Sequence, residues 1–531
     1  MTTNTTDTEI AKLLAENDRR NEIMFAKFDP ITGEGSIGER VRVCIADFAV
    51  PVQWLPIEMM DIPFVKKLVE AGSIDEFLAS VLHVKPNPTD HTKVSRTFIR
   101  LRFKHDFPFW TATLVYIHNK DAGKDVLFRL WYPQRILVSR FEEKRKAGLP
   151  IRLILLKARQ WGGSTTTQLY MAWLQFFHKK GLNSLIIAHQ GTASDEIKDM
   201  FDNMIKNYPV EFLHKMGETY SEDEPKLVGV GKSGSTHRVP QRGCKIKVGT
   251  AERPNGCRGG AYSLVHLSEV GLWQKTDGKS PEDIVRSACS GILARPYTMI
   301  VMESTANGTG NFFHREYSAA ADPEVESQFE ALFIAWFQIE HYSLPFASAD
   351  ELRAFAKKLW ENRDNAYTPS NREESGRYLW SLWEKGASLE AIHWYVYERA
   401  GKNDFAVMAA EFPSDDTEAF VHSGTMVFDK YLVKRFEPYC RKPKFIGEVY
   451  ADADEGEEAL SNLRFREDHQ GLLSIWAKPE TFDDYEVTDR YLTVVDVGGR
   501  SNKADWSVIV VFDRLSMIDG SEPPSVVAQW Y

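Results

Sequence analysis

An α/β fold with a parallel central sheet is predicted by three features of this chain. An apolar run, Ile151-Arg-Leu-Ile-Leu-Leu-Lys157, leads straight into Ala158-Arg-Gln-Trp-Gly-Gly-Ser164 and then a helical stretch. A second run, Ser184-Leu-Ile-Ile-Ala188, follows at βαβ spacing. Two more, Tyr262-Ser-Leu-Val-His-Leu267 and Tyr297-Thr-Met-Ile-Val-Met302, end in small polar or acidic residues. Strands separated by helices need crossover connections and therefore pair in parallel.

The first of these stretches organises the rest. A short apolar run bounded by a glycine pair reads as a buried strand closing in a tight loop. Beyond Ser164, Leu169, Ala172, Trp173, Phe176 and Phe177 fall on one helical face. Strand, glycine loop, hydroxyl and helix form a phosphate cradle, because amide N–H groups at a helix N-terminus face an anion and Ser164 can hold Mg²⁺. The pattern departs from G-x-x-x-x-G-K-[ST], since Gly163 stands where the lysine belongs. Lys157 or Arg159, at the front of the loop, can reach the phosphates from the other side.

At 531 residues the chain has length for roughly three domains. No apolar run reaches the ~18 residues of a membrane span, and Met1-Thr-Thr-Asn-Thr-Thr-Asp7 lacks the basic start and apolar core of a signal peptide, so an intracellular protein is expected. The five cysteines are scattered without a C-x-x-C pair, which predicts reduced thiols and supports neither a disulfide framework nor a cysteine zinc site. A net charge of −10 argues against a protein that coats nucleic acid over its whole surface. Lys232 to Gly260 nonetheless carries seven basic residues against Glu252, which reads as a phosphate-facing loop for ATP or DNA.

In chain order, residues 1–95 read as a helical accessory region, with Ile10, Leu13 and Leu14 opening it and Phe64 to Leu82 giving two more helices before Lys85-Pro-Asn-Pro88. From Thr97 the pattern reads as strands: alternation in Phe98-Ile-Arg-Leu-Arg-Phe103, an apolar run over Thr111–Ile117, and a hairpin turn at Asn119-Lys-Asp-Ala-Gly123. Tyr132-Pro-Gln134 starts a helix whose glutamine amide offers the paired donor and acceptor that suit an adenine edge. The third strand of the sheet ends in Ser268-Glu269, where the strand beside a phosphate loop ordinarily ends in Asp-Glu. The first carboxylate of such a pair holds Mg²⁺ and the second polarises the attacking water. With serine in the first place, Glu269 keeps the catalytic position and metal binding rests more on Ser164 and the phosphates. His266, inside that strand, reads as a core histidine. The fourth strand runs into Glu303-Ser-Thr-Ala-Asn-Gly308 at the edge where such sheets bind ligand. Ala347 to Arg399 is rich in helix formers, with Trp360, Trp380, Trp383 and Trp394 as packing anchors, and Asp452 to Glu458 reads as a solvated acidic loop. Near the C-terminus, Tyr491-Leu-Thr-Val-Val-Asp-Val-Gly498 and Asp505-Trp-Ser-Val-Ile-Val-Val-Phe512 read as two strands. An Asp within a core strand is costly unless a metal or hydrogen bonds compensate it, which makes Asp496 a metal-ligand candidate; Asp505 is a second ligand or a cap.

Taken together, Lys157-Ala-Arg-Gln-Trp-Gly-Gly-Ser164, Ser268-Glu269, Ser304-Thr-Ala-Asn-Gly308 and Tyr132-Pro-Gln134 resemble the large terminase subunits of tailed bacteriophages. The resemblance extends to Glu411–Phe420 with His422-Ser-Gly424, similar to the link between that family's two domains, and to residues 491–512, similar to the opening of its RNase H-like nuclease. It implies an additional-strand P-loop ATPase domain over 96–412, a linker and the start of a second domain over 413–485, and a nuclease portion over 486–531 that stops within its third strand, as in a fragment or an incomplete nuclease. It implies ATP with Mg²⁺ as cofactors, and Mn²⁺ at the nuclease site. Nucleotide contacts would come from Gln134, Gln160, Gly162, Gly163, Ser164, Thr165, Ser304, Thr305 and Asn307. Catalysis would fall to Glu269, Lys157 and Arg159, with Arg258 as an arginine finger in trans, and cutting to metal at Asp496 and Asp505. The implied partners are double-stranded DNA, a portal protein, a small terminase subunit and further copies of the chain in a ring on the procapsid, in the host cytoplasm with no membrane association. A cellular helicase or translocase, and a nucleotide-binding scaffold without turnover, are the competing expectations.

Overall fold

The computed structural model describes residues 2–119, 123–158, 161–208, 226–231, 234–253, 260–274, 280–365, 376–400, 408, 411–422, 440–453, 456–468, 471–479, 489–498, 507–518, 520 and 524–531. The chain divides into two units, Met1–Thr425 and Met426–Tyr531.

The first unit opens with α1 (Thr2–Met24), a hairpin of β1 (Arg40–Cys44) and β2 (Val52–Pro56), and α2 (Pro63–Ala71). The hairpin interrupts a region whose pattern reads as helical throughout. Its Val43 and Leu55 join Val65, Leu68, Phe77, Leu78, Val94 and Phe98 in a small separate core.

The stretch expected to be strand from Thr97 is instead helical: α3 (Pro88–His105) and α4 (Phe107–Leu114). Asn87 caps α3, its Oδ1 accepting from the Asp90 N–H at 3.0 Å, and Pro88 occupies the first turn, where its missing N–H costs nothing. The buried face runs through Val94, Phe98 and Arg102, an i, i+4, i+8 series. Arg102 escapes detection as a core position because it is an arginine. It is 2 % exposed and held by Asp106, with Nε–Oδ2 at 3.1 Å, and by Gln53 Oε1 at 2.6 Å. Only the hairpin itself survives as strand, in β3 (Tyr116–Asn119) and β4 (Lys124–Leu127).

After α5 (Tyr132–Lys146) come β5 (Ile151–Lys157), α6 (Gly163–Trp173), β6 (Asn183–Ala188), α7 (Gly191–Asn207), β7 (Val228–Val230), β8 (Thr236–Val239), β9 (Cys244–Thr250), β10 (Leu264–Ser268), α8 (Pro281–Cys289), β11 (Met299–Ser304), α9 (Phe312–Ala321) and β12 (Glu330–Ile334). They build an eight-stranded sheet in the order β12-β5-β11-β10-β6-β9-β8-β7. The six strands from β12 to β9 are parallel, as expected, and β8 and β7 extend the edge antiparallel.

Two expectations are corrected here. The strand ending in Ser268-Glu269 is not beside β5, the strand that leads into the glycine loop; β11 lies between them and pairs with both. The described part of the basic segment is largely a strand pair rather than a loop: on β9, Cys244, Ile246 and Val248 are buried while Lys245 and Lys247 alternate with them on the more accessible face. Alternation, not loop formation, absorbs those charges.

Every residue of β5 is buried. Leu153 and Leu155 enter one apolar core while Ile154 and Leu156 enter another, so the strand is packed on both faces, as a parallel sheet requires. The helices α10 (Ala349–Glu361), α11 (Gly376–Glu384) and α12 (Leu389–Ala400) pack through the expected tryptophans: the Trp360 and Trp380 rings meet edge-on at 5.4 Å, Trp394 lies 5.3 Å from Trp336, and Arg20 stacks 3.8 Å over Trp383.

The second unit contains a six-stranded antiparallel sheet in the order β14-β13-β15-β18-β17-β16, from β13 (Phe445–Tyr450), β14 (Arg464–Glu467), β15 (Leu473–Ile475), β16 (Tyr491–Asp496), β17 (Val508–Asp513) and β18 (Ser525–Trp530). The two strands expected near the C-terminus are present, but Asp496 is not inside a core strand. It is the last residue of β16, which among the described residues is an edge strand paired on one side, and it is exposed along with Leu492, Val494 and Val495. The desolvation cost that would have called for a metal at Asp496 does not arise there.

Candidate active site

Three chain segments meet at the carboxyl edge of the parallel strands, where open α/β sheets place their ligands. The loop after β5 turns through Gly162, whose φ of 74° and ψ of 25° lie in the left-handed region that suits glycine, and enters α6 at Gly163. A Cβ on Gly162 would stand 2.7 Å from Gln134 Nε2. The buried Gln134 amide joins α5 to this loop: Nε2 donates to the Trp161 carbonyl at 2.7 Å, and Oε1 accepts from the Trp131 N–H at 2.9 Å. The adenine contact expected of Gln134 therefore competes with two internal bonds. Thr165 is half-buried in the first turn of α6, and Thr166 Oγ1 donates to the Gly162 carbonyl at 2.9 Å.

Lys157, the last residue of β5, lies in the middle of the site. Its Nζ donates to Ser164 Oγ at 3.1 Å, is 3.2 Å from Glu269 Oε1, and is ion-paired with Glu303 Oε2. Burial works against the charge on Lys157, but the Glu269 and Glu303 carboxylates outweigh it and hold its pKa above the ordinary lysine value. Glu303 is fully buried. Desolvation acts against its charge, and Lys157, with His266 behind it, prevails and keeps the carboxyl below the usual carboxylate range. Oε1 of Glu303 accepts from Ser164 Oγ and from Ser268 Oγ, both at 2.7 Å, with His266 Nε2 at 3.4 Å. His266 is a fully buried residue, as expected, with Nδ1 3.4 Å from Gln168 Nε2.

Glu269 stands just past β10 with φ 54° and ψ 46°, a left-handed conformation that costs a residue with a Cβ about 1–3 kcal/mol and persists where surrounding contacts enforce it. Here they do: its Oε2 accepts from the Thr305 N–H at 3.2 Å, with Ser304 Oγ and Thr305 Oγ1 each at 3.4 Å. Ser304 Oγ also accepts from the Gly271 N–H at 3.0 Å, and Asn307 Nδ2 donates to the Gly271 carbonyl at 2.9 Å. Ser304 and Asn307 thus brace the end of β11 against the turn that carries Glu269.

The structure therefore brings Lys157, Ser164, Glu269, Ser304 and Thr305 into contact, with Gly162, Gly163, Gln134 and Asn307 shaping the surroundings. Arg159, Gln160, Arg258 and Asp505 lie outside the described residues. Asp496 belongs to the second unit. The residue that sequence reasoning passed over is Glu303. Its signal was present, a carboxylate ending an apolar strand, yet the Ser-Glu pair on β10 already filled the expected role. A hydroxyl and a carboxylate converging on one point are hard oxygen donors of the kind Mg²⁺ takes, so Ser164 and Glu303 fit such an ion.

No protein-family model matches the chain, and no curated protein matches it by sequence. Among solved structures it is similar to a Thermus phage large terminase ATPase domain, at 17% identity over 41% of this chain and 83% of that one, with a TM-score of 0.26. It is also similar to the HK97 bacteriophage large terminase, at 13% identity over 48% of this chain and 55% of that one, TM-score 0.32. The Pyrococcus furiosus Hef helicase domain matches at 13% identity over 53% of this chain and 58% of that one, TM-score 0.25.

Proposed function

We propose that the first unit is an ATP-hydrolysing motor domain. The observation that carries this reading is the convergence of Lys157, Ser164 and Glu269 on a glycine loop and helix start at the carboxyl edge of a parallel sheet. Lys157 would move from its carboxylate partners to the β- and γ-phosphates, and the N-terminal amides of α6 would cradle them. Glu269 would orient the attacking water and take its proton. Bound Mg²⁺ would supply charge neutralisation at the phosphates, held by Ser164 and Glu303. Ser304 touches both Glu269 and the Gly271 N–H, so a shift of the carboxylate on hydrolysis would be felt at the end of β11.

The finer reading, resting on the resemblance of the quoted motifs, is a phage DNA-packaging motor. It would act on double-stranded DNA as a ring of copies at a portal, with a small terminase subunit, and Arg258 would reach the neighbouring copy's nucleotide. Metal-dependent cutting through Asp496 and Asp505 belongs to this finer reading. The test is steady-state ATP hydrolysis by the purified chain with and without double-stranded DNA. Glu269→Gln should lower turnover at least about a hundredfold while ATP affinity stays within about threefold. Turnover that survives this substitution would remove the assignment.

A further inference from the structure

We infer that Glu303 is the carboxylate that holds the divalent cation at this site, doing from β11 what an aspartate at position 268 would do from β10. This rests on the nucleotide-site reading above and deepens it. Ser268 and Glu303 are directly paired in the parallel register of β10 and β11. Adjacent strands lie about 4.8 Å apart, and glutamate is one methylene longer than aspartate, so a carboxylate rooted on β11 reaches the space in front of β10. The contacts put it there: one oxygen, Glu303 Oε1, accepts from Ser268 Oγ on the strand it substitutes for and from Ser164 Oγ on the phosphate loop, both at 2.7 Å.

Charge points the same way. Lys157 faces both Glu303 and Glu269, and His266 Nε2 lies 3.4 Å from Glu303 Oε1. Once Lys157 turns to phosphate, the buried Glu303 loses its closest cation and keeps, among the described residues, His266 and the two serine hydroxyls, and a poorly compensated buried carboxylate is unfavourable. A hard divalent ion beside the Ser164 hydroxyl would replace the lost charge.

The test is Mn²⁺ binding to the full chain saturated with ATPγS, read from the electron paramagnetic resonance of free Mn²⁺, alongside ATPγS binding in EDTA. Glu303→Gln should weaken Mn²⁺ binding at least about tenfold. It should leave metal-free ATPγS binding as tight as wild type or tighter, since Lys157 is released. The exchange Ser268→Asp with Glu303→Ser, which moves the carboxylate back across the strand pair, should recover Mn²⁺ affinity. Unchanged Mn²⁺ affinity in Glu303→Gln, or no recovery in an exchanged chain that still binds metal-free ATPγS, would overturn the inference. A wild-type chain that binds no ATPγS would instead overturn the nucleotide-site reading beneath it.

Discussion

Gln134, in the first turn of α5, donates a 2.7 Å hydrogen bond to the carbonyl of Trp161, the residue just before the glycine pair. The loop is thereby tied from outside the sheet, and its left-handed glycine lies directly under the tie.

Gly162→Ala should consequently be damaging twice over. The left-handed conformation costs an alanine about 1–2 kcal/mol, and its Cβ meets Gln134 Nε2. Denaturant melts should show a loss of that order together with weaker ATP binding. Adding Gln134→Ala should remove the contact and recover only part of the loss, because the backbone strain remains. Full recovery would mean that strain is unimportant here.

Lys157→Met should destabilise the first unit by about 3–5 kcal/mol, since it leaves Glu303 buried without its cation. The double variant with Glu303→Gln should regain most of that stability without regaining ATP affinity. Equal melts for the single and double variants would show that the ion pair is not what makes Lys157 costly to remove.

Acid sensitivity should be traceable to Glu58. Its Oε1 lies 2.7 Å from His105 Nδ1 and 2.8 Å from Arg145 Nη2. Burial would raise the carboxyl pKa, but His105 and Arg145 push it down from 4.5 to about 2. A depressed acid stabilises fully above its unfolded value and loses that contribution as pH falls through its folded value. Stability from this group should therefore decline between pH 4.5 and about 2. Urea melts across that window should be flatter for Glu58→Gln than for wild type.

If Arg258 acts on a neighbouring copy, mixtures of Arg258→Ala and Glu269→Ala subunits should regain turnover that neither has alone, because a mixed interface can unite an intact Arg258 with an intact Glu269. Turnover that stays flat across mixing ratios, in assemblies shown by mass to hold both subunits, would remove that role.

The parallel sheet and the glycine loop at its carboxyl edge were legible because buried strands and a glycine pair leave strong local signals in Ile151–Ser164 and Leu264–Glu269. Strand order was not, since nothing local says that β11, some thirty residues after β10, inserts between β10 and β5; without that order Glu303 could not be seen to face Ser268. The misread segment from Thr97 failed for another reason. Phe98-Ile-Arg-Leu-Arg-Phe103 alternates, but Arg102 is a core residue in disguise, held by Asp106 one turn on and by Gln53, forty-nine residues away in the sequence. Asp496 shows the converse: a strand identified correctly, with its burial misjudged because an edge position leaves no mark on a short apolar run.

The neighbours of β5 carry a consequence for how the protein comes into being. Ile151 pairs with Met299 and Leu153 with Glu330, so the wholly buried strand bearing the loop has neither of these partners until ribosomes have added well over a hundred further residues. On a nascent chain, β6 and β9 can already align while β5 waits. During that interval Leu153 to Leu156 form an apolar segment without its strand partners, the kind of transiently exposed surface that favours aggregation. Synonymous codon changes that slow translation between β6 and β11 should therefore lower the soluble yield without altering a single side chain.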